Sequence, residues 1–294
     1  MQSIDLSIII PTFRREDCLL AAIRSVLPLS ALSCEIIVMD DSPEGSAREA
    51  VTSIDDPRVR YVHPQQSSKG HPAIVRNEAA RRYAQGRFLY FLDDDDRVHP
   101  GTLTELVNTL DRSGKGVGIA AVKPWGPEKS RVVMDEEDHF HGARLFMMKE
   151  GRFRPFLLAS LLFGMPSLTC GACLVRRSLF EDIDGFSSTL PLYEDLDFYI
   201  RAIRRGGHIF LNKVLLYRRT GLPSLINDSY SAPARGAACY REINQGYRQR
   251  QGHWEFIALR VLAALSRRSR PKWPSLTHLL QQRAALGSEC LELR

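Results

Sequence analysis

The residues most suited to chemistry are four consecutive aspartates that directly follow the apolar segment 88–92. Carboxylates this close together repel one another and raise each other's pKa, so the run requires a compensating positive charge. Divalent cations with oxygen ligands are the usual source of that charge, and the alternative is a solvated turn ahead of His99 and Pro100. A run of four behind an apolar strand favours the metal. The aspartates are Asp93, Asp94, Asp95 and Asp96.

Acidic residues also stand at two other boundaries between predicted elements. Asp41 follows the apolar segment 35–39, where its carboxylate is placed to accept a hydrogen bond from a flat polar group such as a nucleobase. Glu194 and Asp195 stand at the start of a predicted helix over 195–205. An acidic residue at such a position is commonly an N-cap, so the pair alone indicates a cap more strongly than a catalytic base.

Hydrophobic residues in the first third of the chain alternate between a strand period and a helix period, as in a βαβ fold. The strands lack polar alternation, so we predict a mostly parallel, Rossmann-like sheet that is buried on both faces by flanking helices. Ligands of such sheets bind at the carboxyl ends of the strands, where Pro11, Thr12, Asp41 and the four aspartates fall. Strands are predicted at 6–10, 35–39, 59–62 and 88–92, and helices at 15–27, 45–54 and 72–84.

The second half of the chain has weaker periodicity and ends in a tail of different composition. Strands predicted at 117–122, 171–175 and 209–217 complete an α/β domain over residues 1–219. Residues 220–233 are rich in Gly, Pro, Ser and Asn, which predicts a mobile loop that orders over a bound ligand. Residues 234–294 predict a helical C-terminal extension, with helices at 235–265 and 275–286.

The net charge of +6 is concentrated in the tail. Residues 233–294 carry 11 Lys and Arg against 4 Asp and Glu, a net of +7, whereas the rest of the chain has a net of −1. A body without basic excess argues against nucleic-acid binding. The tail predicts either an amphipathic helix on an anionic membrane surface or a helix packed on the core or on a second subunit. The basic residues are Arg260, Arg267, Arg268, Arg270 and Lys272.

Membrane-spanning and secretory segments are not predicted. The longest nearly unbroken apolar run, residues 156–165, is about half of what a bilayer crossing needs. The apolar run 6–10 meets Pro11 directly, unlike the hydrophobic region of a signal peptide. We therefore expect a cytoplasmic protein, either free or attached peripherally at the inner face of the membrane.

Four motifs at the predicted strand ends and helix starts occur in a fixed order, which makes them far more specific together than singly. They resemble the family 2 glycosyltransferases, inverting enzymes of the GT-A fold that use nucleotide-sugars. The likeness spans about residues 4–217 and leaves the tail outside. The motifs are Ile8-Ile-Ile-Pro-Thr-Phe13, Ile37-Val-Met-Asp-Asp-Ser42, Arg76-Asn-Glu-Ala79 and Gly86-Arg-Phe-Leu-Tyr-Phe-Leu-Asp-Asp-Asp-Asp96.

The resemblance implies a nucleotide-binding half over residues 1–115 and an acceptor half over 116–219. In the first half, Pro11 and Thr12 are implied to hold the base with Arg14, and Asp41 to face the ring nitrogen of uracil. Arg76 is implied to close over the nucleotide.

The family's DxD element falls within the aspartate run. The resemblance implies that Asp93 or Asp94 approaches the ribose. It also implies that Asp95 holds Mn²⁺ or Mg²⁺ on the diphosphate.

In the second half, Tyr193-Glu-Asp-Leu-Asp-Phe198 matches the family's Glu-Asp motif. The resemblance makes Asp195 the general base and brings Glu194 near the acceptor, which reverses the cap interpretation. We expect the dipole of the following helix to keep Asp195 ionised at neutral pH.

Two features of the second half depart from the family or stay open. Many relatives carry a His-containing loop after the last strand, whereas this chain has Tyr217-Arg-Arg-Thr-Gly221. Arg218 or Arg219 is therefore expected to meet the diphosphate. Trp125 follows the predicted fifth strand, where it is expected either to stack on an acceptor sugar or to pack in the core.

These features together predict an inverting glycosyltransferase. It would move a sugar, with UDP-sugar the favoured donor, to a hydroxyl of a saccharide or lipid-linked acceptor in cell-surface polysaccharide or glycoconjugate synthesis. A nucleotidyltransferase is the first alternative, but it requires a glycine-rich loop where this chain has Pro11-Thr-Phe-Arg-Arg15. A nucleic-acid-binding protein that uses the basic tail is the second.

Overall fold

The structure is a computed structural model in which residues 4–126, 131–164, 168–220 and 233–269 are described. These residues form one eight-stranded sheet with a separate hydrophobic core against each face. The strands are β1 (Leu6–Thr12), β2 (Cys34–Asp40), β3 (Val59–Val62), β4 (Phe88–Phe91), β5 (Arg97–Val98), β6 (Val117–Trp125), β7 (Cys173–Arg176) and β8 (His208–Arg219). The helices are α1 (Glu16–Val26), α2 (Arg48–Thr52), α3 (Pro72–Arg82), α4 (Pro100–Ser113), α5 (Arg131–Met148), α6 (Arg154–Phe163), α7 (Arg177–Asp182), α8 (Glu194–Gly206), α9 (Pro233–Gln251) and α10 (His253–Ser269).

The strand order of the sheet is β3-β2-β1-β4-β7-β6-β8-β5. The first four strands in this order pair in parallel, and so do β6 and β8. Strand β7 runs antiparallel to both β4 and β6, and β5 runs antiparallel to β8. The predicted α/β sheet is therefore confirmed, with its parallel part on the side that carries the acidic motifs and a mixed part on the other.

The absence of polar alternation in β1 follows from burial on both faces. Ile8 and Ile10 pack in the core that contains α1 and α4, whereas Ile9 packs in the core that contains α3 and α8. All three isoleucines are fully buried. A run of β-branched residues can therefore pack against both cores at once. The strand ends at Thr12, which places this residue at the edge formed by the carboxyl ends of the strands.

The C-terminal helices pack on the domain. Tyr240 of α9 donates a hydrogen bond to the backbone oxygen of Leu161 in α6 (2.8 Å). Glu255 of α10 accepts two hydrogen bonds from Arg204 of α8 (2.6 and 2.9 Å). The helical extension is confirmed as far as Ser269, and one face of it is covered by the core.

One predicted helix is interrupted. The expected single helix over 235–265 is wrong, because Gly252 adopts φ +91° and separates α9 from α10. A glycine in the left-handed region is a common way to end a helix.

Several expectations concern residues that the structure does not describe. The predicted mobile loop lies outside the described residues except for Thr220 and Pro233 at its ends, and the predicted helix 275–286 lies wholly outside them. Arg270 and Lys272 are outside as well. None of the described helices has the length and apolar content that a membrane crossing requires.

Candidate active site

The carboxyl ends of β1, β2 and β4 bring the acidic motifs together. Thr12 ends β1, and its hydroxyl donates a hydrogen bond to Oδ2 of Asp94 just beyond β4 (2.8 Å). The backbone N–H of Asp41 donates to the carbonyl oxygen of Thr12 (2.9 Å). Three predicted site residues from segments more than 25 positions apart therefore meet at one edge of the sheet.

Two arginines pair with three of the four aspartates. Asp93 pairs with Arg76 at 2.7 Å, and Asp95 pairs with Arg15 at 2.9 Å. Arg15 also lies 3.3 Å from Asp94. Two arginines therefore supply part of the positive charge that the run requires. The sequence interpretation missed Arg15, although its position just after the Pro11-Thr12 turn is a signal that this side chain reaches the strand ends.

The two arginines do not fully offset the effect of burial and mutual repulsion on the pKa values of the aspartates. Burial raises the pKa of Asp94 to about 7, against the opposing effect of Arg15. Burial and the neighbouring carboxylates also raise the pKa of Asp95 and of Asp96. Asp96 accepts a hydrogen bond from the backbone N–H of Arg219 (2.8 Å), so its role is to tie the run to the end of β8.

The site fits a divalent cation that shares its ligands with a substrate. Asp95 keeps 16% of its side chain exposed, and its oxygens are the hard donors that Mg²⁺ and Mn²⁺ prefer. No cluster of three or more His, Cys, Asp or Glu side chains in the described part of the chain is arranged to hold a metal. Mg²⁺ is usually bound through one or two carboxylates plus phosphate oxygens and water, which is the arrangement that Asp95 permits.

Asp41 holds a loop in this structure. Its carboxylate accepts hydrogen bonds from the backbone N–H and the hydroxyl of Ser68 (both 2.7 Å) and from the N–H of Gly70 (2.6 Å). Lys69 and Gly70 adopt positive φ angles of 61° and 79°, which turn the chain back toward Asp41. A nucleobase reaches this carboxylate only if Ser68 and Gly70 release it.

Pro11 and Arg14 lie at the entrance to this region. Pro11 pairs with Met39 in the parallel register of β1 and β2. The guanidinium of Arg14 forms two hydrogen bonds with Glu44 (2.7 and 3.0 Å), and 58% of its side chain is exposed. Of the two adjacent arginines, Arg15 points to the aspartates and Arg14 lies on the solvent side.

Arg76 joins the two halves of the site. Its buried guanidinium donates to Asp93 at 2.7 Å and to Glu194 at 2.8 Å, and 5% of the side chain is exposed. Glu194 is the first residue of α8, and Asp195 follows it. Arg76 therefore holds Glu194, and with it the neighbouring Asp195, close to the aspartate run.

The structure overturns two expectations about Asp195. The N-cap of α8 is Tyr193, with φ 62°, so the interpretation of Asp195 as the cap is wrong. Burial and the charge of Glu194 raise the pKa of Asp195 to about 7, although Arg76 opposes them. This pKa departs from the expectation that Asp195 is fully ionised at neutral pH, because burial and Glu194 together outweigh Arg76 and the N–H of Leu196. A carboxylate with a pKa near 7 is well matched to a general base.

Asn77 fixes the segment that leads into α8. Its amide donates to the carbonyl oxygen of Phe186 (2.8 Å) and accepts from the N–H of Phe186 (2.9 Å). The ring of Phe186 stacks on Phe198 of α8 with centroids 4.1 Å apart. Asn77 therefore supports the helix that carries Asp195.

Replacement of Asn77 by alanine is expected to lower the free energy of unfolding by about 2–4 kcal/mol, because two buried backbone groups lose their partners. Glu78→Ala in the same helix is the control, since it removes a surface pair with Arg82 that is worth a few tenths of a kcal/mol. Urea unfolding of both variants measures the difference. An equal decrease in the free energy of unfolding in the two variants would contradict the supporting role of Asn77.

The remaining predicted residues lie beside the aspartates but are engaged with other groups. Arg218 pairs with Glu136 of α5 at 2.8 Å, and its charge partly opposes the rise that burial causes in the pKa of Asp95. The guanidinium groups of Arg97 and Arg219 lie 4.4 and 5.4 Å from the ring centroid of Trp125. The structure therefore brings Arg218 to the site and places Trp125 in a packed cluster of arginines.

The mixed sheet, with acidic residues at the carboxyl ends of its parallel strands and helices on both faces, has the arrangement that the GT-A fold predicts. Residues 7–184 match the family model described as Glycosyl transferase family 2. The chain belongs to this family.

Curated relatives support the assignment. The chain is 30% identical over 210 residues to the Campylobacter jejuni GalNAc(5)-diNAcBac-PP-undecaprenol beta-1,3-glucosyltransferase, with 70% of this chain and 65% of the relative covered. It is 25% identical over 190 residues to the succinoglycan biosynthesis protein ExoO of Rhizobium meliloti, with 65% and 47% covered. It is 38% identical over 90 residues to the Escherichia coli UDP-Glc:alpha-D-GlcNAc-diphosphoundecaprenol beta-1,3-glucosyltransferase WfgD, with 31% and 34% covered. The aligned regions thus span less than two thirds of each relative.

A solved structure shares the fold. S. aureus TarS 1-349 in complex with UDP-GlcNAc superposes with a TM-score of 0.66 at 20% identity, over 89% of this chain and 71% of that one. This likeness confirms the GT-A fold that the motif order predicts.

Proposed function

We propose that this chain is an inverting, metal-assisted glycosyltransferase that transfers a sugar from a UDP-sugar to a hydroxyl of a lipid-linked saccharide at the inner face of the membrane. The observation that carries the proposal is the bridge of Arg76 between Asp93 and Glu194. It sets a carboxylate with a pKa near 7 beside a carboxylate cluster suited to a diphosphate and its cation. A base and a leaving-group site in such proximity are what a direct displacement needs.

The reaction assigns a separate task to each side of the bridge. Asp195 takes the proton of the acceptor hydroxyl as that oxygen bonds to the anomeric carbon. The bond between the anomeric carbon and the diphosphate oxygen breaks on the opposite face, so the configuration inverts and the nucleoside diphosphate leaves. A cation held by Asp95 would neutralise charge on that leaving group. Arg15 and Arg218 lie near enough to this carboxylate to change its pKa, and they would add positive charge there.

Both the residues of the site and the relatives of the chain support the proposed classes of donor and acceptor. Asp41, once released by the loop, offers a carboxylate to a ring N–H, which uracil presents at neutral pH. The names of two relatives specify undecaprenol-linked acceptors, and one of them specifies UDP-Glc. The TarS structure is a complex with UDP-GlcNAc. These relatives and this complex support a UDP-sugar donor and a lipid-linked acceptor for this chain.

Nucleotide binding can be measured before the acceptor is known. In a thermal-shift panel of UDP, dTDP, GDP, UDP-glucose and UDP-GlcNAc, we expect the uridine compounds to stabilise the protein most, and only with Mn²⁺ or Mg²⁺ present. A ligand at 100 times its Kd adds about 2.7 kcal/mol to the free energy of unfolding. ADP with the same cation is the control. A panel without any metal-dependent shift would contradict the proposed function.

A further inference from the structure

The outer face of α10 exposes an apolar stripe. Trp254, Val261 and Leu265 are 81%, 53% and 56% exposed, and Ala258 between them is exposed too. These positions recur at intervals of four, three and four residues, so they lie on one side of the helix. The opposite side carries Leu259 and Ala263, which are buried against the domain.

A second exposed aromatic residue lies in the loop that contacts the end of α10. The hydroxyl of Ser266 donates to Glu150 (2.7 Å), which brings the end of α10 beside the loop between α5 and α6. Phe153 in that loop is 52% exposed, and the guanidinium of Arg152 lies 4.9 Å from its ring centroid. Phe153 therefore adds an exposed ring near the end of α10, with a positive charge beside it.

The charge around the stripe is strongly positive. Residues 233–269 contain seven arginines and two glutamates. One of these glutamates, Glu255, is neutralised by Arg204 of α8. Arg235, Arg241, Arg248 and Arg260 are exposed. An exposed apolar stripe with a tryptophan near one end, in a pair of helices with an excess of five arginines over glutamates, combines the two attractions by which interfacial helices bind anionic bilayers.

We propose that this face of α10 docks on an anionic phospholipid surface. A second copy of the chain fits the same face less well. A symmetric dimer brings the same arginines of both copies together, and like charges then oppose the contact. Headgroup phosphates of an anionic surface instead attract the net positive charge of α9 and α10.

The docking surface is rigidly connected to the candidate active site. Glu255 of α10 binds Arg204, and Arg250 of α9 lies 3.2 Å from Asp197. Both partners belong to α8, the helix that carries Asp195. Membrane docking therefore orients Asp195 relative to the lipid surface. The docking itself does not depend on the proposed reaction.

The test is flotation of the full-length chain with vesicles of phosphatidylcholine that contain about a third phosphatidylglycerol, the negative surface that attracts basic segments. We expect wild type to float with these vesicles and not with pure phosphatidylcholine. The double variant Trp254→Ser/Leu265→Ser should bind at least about tenfold more weakly, because two exposed apolar anchors are lost. Met134→Ser is the matched control, since Met134 is 59% exposed on α5. Arg260→Gln should weaken binding about fivefold.

A second readout does not depend on the folding of the double variant. Brominated phosphatidylglycerol should quench tryptophan fluorescence of wild type, and most of that quenching should vanish in Trp254→Phe, which still floats. Equal flotation of wild type and the double variant, or no flotation of either, would overturn the proposal. So would a dimer in sedimentation that the double variant abolishes, because the stripe would then belong to a second copy. Nucleotide-dependent thermal shifts of the same samples test the proposed function separately, so that failure of one proposal is distinguished from failure of the other.

Discussion

Replacement of Asp195 by asparagine is expected to lower the rate of sugar transfer by about 10²–10⁴-fold, the usual contribution of a general base. Asparagine keeps the shape of the side chain and can still accept the hydrogen bond that the N–H of Leu196 donates to Oδ1 (2.7 Å). It has no basic oxygen for the acceptor proton. The affinity for UDP and the free energy of unfolding should change little, because the donor contacts and the fold remain.

The pH profile gives an independent measure of the same residue. Burial and the charge of Glu194 raise the pKa of Asp195 to about 7. The base must be deprotonated, so the rate of wild type should fall as the pH decreases below about 7, by tenfold per pH unit. The residual rate of Asp195→Asn should lack this acidic limb.

Asp197→Asn serves as the matched control, because Asp197 is a buried aspartate of the same helix. Its oxygens accept hydrogen bonds from Arg201 (2.7 Å) and Arg250 (3.2 Å), which makes its role structural. This variant should lose stability and keep most of its rate. Near-normal turnover of Asp195→Asn would assign the base to another carboxylate, with Glu194 the nearest.

The second large effect is expected at Asp95. Its replacement by asparagine should weaken UDP binding about 100-fold in the presence of Mn²⁺, because metal stabilisation of a diphosphate is worth several kcal/mol. Binding in the presence of EDTA should change little in comparison, since no cation then needs a ligand. Isothermal titration calorimetry of UDP with and without Mn²⁺ measures both values.

The Asp96→Asn variant tests whether Asp95 acts as a specific metal ligand or only through the summed negative charge of the aspartate run. Asp96 is buried and holds the N–H of Arg219, and asparagine can accept that hydrogen bond as well. It should therefore retain most of the metal-dependent affinity. If the two variants lose affinity equally, the carboxylates act through their summed field, and Asp95 is not a specific ligand.

The parts of the site that lie at strand ends could be predicted from sequence. Thr12, Asp41 and the aspartates each follow an apolar run, and the carboxyl ends of adjacent parallel strands meet at one edge. The meeting of these strand ends follows from the order of the strands and helices along the chain. The prediction did not require knowledge of any side-chain contact.

The compensating charges could not be predicted in the same way. Arg15 meets Asp95 across 80 residues of sequence, and Arg76 meets Glu194 across 118. Such pairs depend on how helices dock on the sheet, which no local pattern encodes. The same holds for the elevated pKa of Asp195, because the burial of this side chain and its approach to Arg76 are tertiary properties.

The loop that holds Asp41 was also hidden in the sequence. Residues 67–70 indicate only a polar loop, whereas their backbone and hydroxyl donors occupy both oxygens of the carboxylate. The predicted bounds of α1, α2, α3 and α8 agree with the structure within a few residues, whereas α4, α5 and α6 were not predicted and Gly252 divides a helix that was predicted as one. An isolated glycine in a helical pattern is often tolerated, and its left-handed conformation is decided by the packing of α9 and α10 on α6 and α8.

The attachment of the C-terminal helices to α8 has a consequence for chimeric enzymes. The family match ends at residue 184, so an exchange of domains guided by it would treat everything beyond as replaceable. Arg204 and the inner face of α6 rely on α9 and α10 for their partners. A junction at the start of α8 would separate Glu194 from Arg76 and β8 from its partner β6, and a break after β8 would remove the partner of Arg204. An exchange of domains should therefore keep α9 and α10 together with α6, α8 and the sheet on which they pack.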